Sequence, residues 1–507
     1  MNYKMILRLI CYILPGGGRS CRRLPAPGHL GPVLGRAHWP LARLTILLCG
    51  ALSLTTCFLP PQTKEISPRE GFLSVALCWV VVSLAGGLPF FFSGAIPNFI
   101  DCFFETVSGF TTTGSSILTD VEAMPKGLLY WRSFTHWLGG MGVLVFLLAV
   151  VPMGKGRNSL LHVMRAESPG PQVDKLVPTL QKSAKILYTI YIAMTLIQIT
   201  LLLLGGMPLF DSLTISFGTA GTGGFAIKND SMAGYSTYLQ AVCTVFMALF
   251  GVNFSIYYLV LLRQFGKVLR NEELWTYLGI MAGAIALITW DIAPQYNGDL
   301  GQSLHHAAYQ VSSIMTTTGF ATTDFNLWPP FSKMILVTLM IVGACAGSTG
   351  GGIKAARVLL LFKSGRRSLK RIIRPRQVAQ VHVDGQLVDE SVIHNTYSYM
   401  VFYSITAILS MLVVALDEQS LETTITGGAH LPEQRGPRHG HGGPHEQLRP
   451  PLLAEQAGAV LRHAAGPAGD FPHAPAVYAR GVEAQLKKRE SRPGFGAAFF
   501  AVFVPNV

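Results

Sequence analysis

Long apolar runs alternate along this chain with short polar gaps, and the runs come in two lengths. Stretches 71–94, 128–153, 183–206, 236–263, 273–293, 332–362 and 395–416 are the long ones. Each is long enough to cross about 30 Å of hydrocarbon, which takes roughly 20 helical residues. Shorter apolar segments at 98–117, 209–226 and 303–322 separate successive long ones, and each ends in threonine and glycine. The pattern predicts an all-α membrane protein built from repeated helix–pore loop–helix units around one central pore, with a fourth unit incomplete. The predicted units occupy 61–160, 180–265 and 272–365. They are followed by a basic cytoplasmic linker at 366–394 and the start of a fourth unit at 395–426. Residues 1–60 form an atypical N-terminal segment with helix remnants, and 427–507 a tail of different character.

The three short segments end in related strings: Thr111-Thr112-Thr113-Gly114, Gly221-Thr222-Gly223-Gly224 and Thr316-Thr317-Thr318-Gly319. Threonine and glycine present backbone carbonyls with little bulk, and glycine reaches dihedral angles that other residues avoid. Irregular backbone at membrane depth must line a cavity or pack in protein. Carbonyls around Thr112, Thr113 and Gly114, Thr222, Gly223 and Gly224, and Thr317, Thr318 and Gly319 can therefore replace the hydration shell of a monovalent cation. One glycine at the matching place in each string, Gly114, Gly224 and Gly319, short of a fully developed channel filter, predicts modest discrimination. The copies also agree upstream: Glu105 and Gln310 stand nine residues before their glycine, and Ser108 and Ser313 six before.

Composition places the chain in a bilayer: of 507 residues 50% are hydrophobic and 13% charged, with mean hydropathy +0.39. The net charge of +13 does not indicate nucleic acid, because Lys and Arg collect between units. Lys155, Arg157, Arg165, Lys175 and Lys182 lie in the first gap, and Arg263, Lys267 and Arg270 in the second. Lys363, Arg366, Arg367, Lys370, Arg371, Arg374 and Arg376 lie in the third. The positive-inside rule makes these gaps cytoplasmic and turns the strings outward. Eight cysteines, at 11, 21, 49, 57, 78, 102, 243 and 345, show neither disulfide nor zinc spacing. Met1 to Leu14 begins like a signal peptide but lacks a small-residue cleavage site.

Five glycines between Gly343 and Gly352 interrupt an apolar span. Each costs about 1 kcal/mol against alanine in a helix, so the span is expected to break into a mobile loop beneath the strings. Close helix packing through small residues is the alternative. Lys354 and Arg357 are expected to snorkel. A phosphate loop is excluded, since Gly352-Ile353-Lys354-Ala355 lacks the Gly-Lys-Ser/Thr order. His305 and His306 read as a packed or exposed pair rather than metal ligands, and His136 as hydrogen-bonded within the bundle. Glu105 either concentrates cations or holds its loop. No nucleophile, acid pair or metal cluster in the spans points to an enzyme, and no cofactor is expected.

Phe104 to Gly114, Thr316 to Thr323, and Gly347-Ser-Thr-Gly-Gly-Gly352-Ile-Lys354 together resemble the potassium-translocating subunit of the bacterial Trk/Ktr potassium-uptake family, in its Trk branch, over about residues 60–426. The resemblance implies a homodimeric, multi-pass inner-membrane protein in contact with lipid. In each subunit four joined repeats form one potassium pore, controlled by a cytoplasmic nucleotide-binding regulatory subunit. It implies potassium as the transported ion, bound at the filter only, and a gate at Gly347, Gly350, Gly351 and Gly352. After Thr426 the family pattern stops, and 427–497 is rich in Pro, Gly, His, Arg and Glu. Pro432-Glu-Gln-Arg-Gly-Pro-Arg438, back-translated with ordinary codons and read one base later, becomes Leu-Asn-Asn-Val-Gly-Pro-Gly, which resembles the family's fourth filter motif. A frameshift therefore accounts for the tail, including His439 to His445, and a second out-of-frame piece for Pro15 to Pro40. The alternative function is an inactive, frameshifted membrane remnant of such a transporter.

Overall fold

A computed structural model describes residues 68–142, 180–376 and 380–415. The expectations for 1–60, the first basic gap as far as Lys175 and the tail beyond 426 lie outside the described residues, while Lys182 falls in a helix. So does the far end of the 128–153 span.

The first unit comprises α1 (Pro68–Phe92), α2 (Phe99–Phe110) and α3 (Lys126–Gly140). The second comprises α4 (Leu180–Leu204), α5 (Leu209–Ala220), α6 (Thr237–Phe250) and α7 (Phe254–Leu261), with the short α8 (Phe265–Leu269) behind it. The third comprises α9 (Glu272–Ile292), α10 (Leu300–Met315), α11 (Pro330–Val342) and α12 (Ala355–Ile373). A hairpin of β1 (His382–Val383) and β2 (Gln386–Leu387) then leads into α13 (Glu390–Ala415).

The short helices α2, α5 and α10 start where the sequence supplies starts. Asn98 accepts from the Ile100 N–H at 3.1 Å, Pro208 precedes α5, and Asp299 accepts from Gly301 and Gln302 at 2.8 and 3.1 Å. Each short helix packs within its own unit, and α5 also packs on α3 while α10 packs on α6. The units thus follow one another around a shared interior. That interior is polar: Glu105, Ser108, Thr112, Thr222, Gln310 and Thr317 are all buried. Leu196, Leu204, Leu261, Leu287 and Trp290 face outward, exposed. Apolar outside and polar inside is the arrangement of a membrane protein with an internal path.

Two of the expected long spans are bent or broken. The 332–362 stretch divides as expected, with α11 ending at Val342 and α12 starting at Ala355. The 236–263 stretch is not one span: α6 and α7 meet at 91°. Gly251 lies so close to Tyr277 that an added methyl would overlap its hydroxyl, and Asn253 restarts the helix by accepting from the Ser255 N–H at 2.9 Å. Basic residues of the expected linker also depart from it, because α12 runs on to Ile373 and carries them on a helix. The hairpin, with Asp384 and Gly385 both at positive φ (54° and 78°), was not anticipated. Its Asp384 carboxylate accepts from the Glu272 N–H at 2.7 Å and the Asn271 amide at 3.0 Å, capping α9. Lys363 of α12 pairs with Glu272.

Candidate ion pathway

Each string begins where its short helix stops, and all three adopt one backbone. Thr112, Thr222 and Thr317 sit at φ 56°, 52° and 59°, and Gly114, Gly224 and Gly319 at 73°, 71° and 89°. Left-handed backbone costs a residue with a Cβ about 1–2 kcal/mol. Three threonines at the same place in three units therefore hold conformations that their surroundings impose.

Hydrogen bonds show what imposes them. The N–H of Thr113 donates to the Ser108 carbonyl at 2.9 Å, Gly223 to Gly218 at 3.0 Å and Thr318 to Ser313 at 2.8 Å. Thr112, Thr222 and Thr317 donate to Gly109, Thr219 and Ile314 at 3.2, 3.1 and 3.1 Å. Alternating left-handed residues turn successive N–H groups to one side, here back onto the helix end, and send the carbonyls the other way. The carbonyls of Thr222, Gly223, Gly224, Thr317, Thr318 and Gly319 accept no hydrogen bond from any described residue. The Ser108 hydroxyl donates to Ser115 O at 2.5 Å and the Ser313 hydroxyl to Phe320 O at 2.6 Å, fixing the exit of each string. Helix C-termini carry about half a negative charge, so three of them converge where a cation would sit.

The strings meet directly. A methyl on Gly224 would overlap the Thr318 carbonyl, and the Met232 N–H donates to Ala321 O at 3.0 Å. The first string is joined to the second through α3: Arg132 donates to Glu105 at 2.6 Å and to Ala226 O at 2.9 Å. Glu105 also accepts from the Ser116 hydroxyl at 3.0 Å and the Ile117 N–H at 3.1 Å. It therefore holds its loop, with its charge matched by Arg132; both side chains are buried. Gln310 does the equivalent in the third unit, donating to Thr323 O at 3.2 Å.

The loop from Gly343 to Lys354 docks against the same strings. The Thr222 hydroxyl meets Thr349 O at 2.9 Å, the Gly351 N–H donates to the Thr317 hydroxyl at 2.7 Å, and Gly350 crowds the Thr316 carbonyl. On its far side the Phe254 N–H donates to Gly347 O at 3.1 Å, Cys345 N–H to Gly251 O at 3.0 Å, and Ala346 N–H to Glu273 at 2.5 Å. The loop thus rests in the bend between α6 and α7, which is why that span is broken. Gly343, Gly347 and Gly352 all take positive φ. Packing of continuous helices through small residues is ruled out by this break.

Several side chains are placed differently from expectation. Lys354 does not snorkel; its Nζ donates to Gly350 O at 2.6 Å and lies 3.4 Å from Cys345 O, clasping the loop. Arg357 is buried, donates to Ile353 O at 3.2 Å and lies 4.1 Å from the Tyr399 ring. A glycine-rich loop returns its following cations inward because the loop's carbonyls are the nearest acceptors. His136 is not hydrogen-bonded to any described residue, since neither ring nitrogen has a partner among them; it stacks on Phe225 at 4.0 Å instead. His305 and His306 are packed, meeting Gln240 at 2.7 Å and Thr322 at 3.2 Å. No metal-holding cluster of His, Cys, Asp or Glu occurs among the described residues.

Short helices ending in carbonyl-presenting strings around a polar interior define a membrane protein of the ion-translocating class. The chain matches the family described as "TrkH: Cation transport protein" over residues 43–281 and 296–424, and it belongs to that family. It is similar to the Trk system potassium uptake protein TrkH of Salmonella typhimurium, with 36% identity over 363 residues, 70% of this chain and 74% of that protein. It is 33% identical to the Trk system potassium uptake protein TrkG of Escherichia coli K12 over 355 residues, 69% of this chain and 73% of the relative. The crystal structure of the potassium transporter TrkH from Vibrio parahaemolyticus superposes with a TM-score of 0.80 at 26% identity, covering 93% of this chain and 97% of that one.

Proposed function

We propose that this protein carries out potassium uptake across the bacterial inner membrane through a filter of backbone carbonyls. The observation that carries the reading is the shared backbone of the three strings, with N–H groups spent on helix ends and, in the second and third strings, carbonyls left to a cation. Thr112, Thr113, Gly114, Thr222, Gly223, Gly224, Thr317, Thr318 and Gly319 form its described part. With the frame restored after Thr426, the unit that α13 begins would supply a fourth string. With the basic gaps inside, the filter faces outward. A potential of 100 mV contributes about 2.3 kcal/mol per charge, and at about 1.4 kcal/mol per tenfold this sustains roughly fiftyfold accumulation without chemical fuel.

The loop containing Gly347, Gly350, Gly351 and Gly352 is the gate. Its hydrogen bonds to Thr222 and Thr317 support this reading, and with the basic gaps inside it lies on the inner side of the strings. A homodimer embedded in lipid, with a cytoplasmic nucleotide-binding regulatory subunit, completes the assembly; the basic face of α12 and the hairpin tied to it are the parts such a subunit could pull. Potassium is the cargo, and no cofactor enters the reading.

Gly319→Ser tests the filter. At φ 89° a side chain is strained and the carbonyl must turn. In the protein with its frame restored after Thr426, potassium affinity and discrimination against sodium should both fall, measured as rubidium uptake with sodium competition. Unchanged uptake constants would remove Gly319 from the filter.

A second reading, the inactive remnant, draws on the tail. The family match ends at residue 424, beside the change of composition after Thr426. Resequencing the coding DNA through codon 427 distinguishes a frameshifted gene from an altered transcript of an intact one.

A further inference from the structure

The first and third strings are clipped by paired threonines. The Thr111 and Thr113 hydroxyls lie 2.9 Å apart and those of Thr316 and Thr318 2.8 Å apart. Thr111 reaches back to Val107 O at 2.6 Å and Thr316 to Ser312 O at 2.6 Å, tying each clip to its helix. In the second string both clip positions are glycine, Gly221 and Gly223. No hydroxyl pair can form there.

The vacated space belongs to His136, which arrives on α3 from the preceding unit. A methyl on Gly221 would overlap the His136 carbonyl, and one on Gly223 would overlap its ring Nδ1. The next two glycines of the same helix extend the fit. Gly139 lies against the Phe110 carbonyl, at the end of the first short helix, and Gly140 against Gly221. The ring itself is wholly buried, stacked on Phe225 at 4.0 Å, and Phe225 in turn carries the Arg132 guanidinium at 3.6 Å. Burying two unbonded ring nitrogens is unfavourable, so hydrogen bonding does not explain this histidine. Its shape does: the flat ring fits the slot that the missing side chain of Gly223 leaves, and the residue's own backbone occupies the one at Gly221.

We propose that His136 is a positioning residue for ion selectivity, its ring standing in for the absent threonine clip and setting where the backbone from Gly221 to Gly224 lies. The proposal rests on the filter reading above. It makes the second quarter of the filter dependent on the first unit, so one side chain registers two strings against each other.

The test uses steric exchange and an ion-preference readout. In the full chain as it stands, Gly223→Ala should reduce the yield of monodisperse protein in detergent, and adding His136→Ala should restore it. Failure of the second change to rescue the first overturns the contact. Discrimination is read in the full chain with its frame restored after Thr426, as rubidium uptake under sodium competition, per folded protein. There His136→Ala should weaken discrimination about fivefold, near 1 kcal/mol, and His136→Ala with Gly223→Ala should recover most of it. His136→Leu fills the core without the flat ring; it should fold and still lose discrimination. If Gly319→Ser shifts the preference and both His136 variants leave it unchanged, the inference fails and the filter stands. If none shifts it, the filter reading and the inference fail together.

Discussion

The strings and the loop beneath them are both glycine-rich, irregular and buried, yet they are held in opposite ways. Each string is secured locally: its N–H groups return to carbonyls of the helix that delivers it, five residues back for Thr113, Gly223 and Thr318. The loop is secured by distant groups, including Thr222, Thr317, Glu273, Gly251 and Phe254. Local closure cannot be undone without unfolding the short helix, whereas the distant contacts join the loop to separate elements and are lost if those elements move apart. Under the proposed function, this difference would assign ion preference and obstruction to different residues.

The most drastic way to break that comparison is to leave the ring of strings incomplete. The chain as written should not support growth of potassium-starved cells, and restoring the frame near Gly427 should rescue it. Robust growth of the unrepaired gene would show that three strings suffice. In the repaired protein, deleting Gly347 to Gly352 should raise flux in liposomes and leave the rubidium-to-sodium preference nearly intact. Equal or lower flux from well-folded protein would make the loop a packing element.

Lys354→Met is a gentler version. A hydrogen bond from a charged donor is worth about 1.5–3 kcal/mol, so losing the clasp on Gly350 O should favour the released loop by roughly ten- to a hundredfold at most. Flux should rise with preference unchanged; a changed preference would join the two regions that the comparison separates. The smallest effect should come from outside both. Asn229 donates to Asp120 at 2.9 Å, and this bond, with a backbone N–H from Glu122, holds the exposed Asp120 carboxyl below its ordinary range. Asn229→Ala should leave flux and preference unaltered and lower the Tm slightly. Because the folded carboxyl is depressed, that stabilisation is full above its unfolded pKa and fades as pH falls through the folded value. A Tm difference that persisted in strong acid would exclude the carboxylate as its source.

Much of this arrangement was legible in the sequence because repetition reports it. Three strings at matching places in three units announced the irregular backbone, and five glycines announced the break before Ala355. The bend at Gly251 was hidden because an apolar run is uninformative about direction. Its one signal was Asn253, a helix-starting residue inside a span. The hairpin carried the Asp384-Gly385 signature of a tight turn, masked by basic residues that read as a linker. The choice between the two roles open to Glu105, and the surroundings of His136, were beyond reach, since each depends on a neighbour from another segment: Arg132 for one, the second string for the other. Lys354 was misread because charge near a membrane edge is ordinarily drawn to water, and only the folded loop reveals closer acceptors.

The left-handed threonines set a trap for anyone stabilising this protein. Glycine adopts φ near +55° freely, so Thr222→Gly or Thr317→Gly would relieve about 1–2 kcal/mol of local strain. Either change would also delete a hydroxyl to which the loop is fastened. A screen ranking variants by heat resistance would thus weigh, at these two positions, a gain in backbone comfort against a loop that is less firmly fastened.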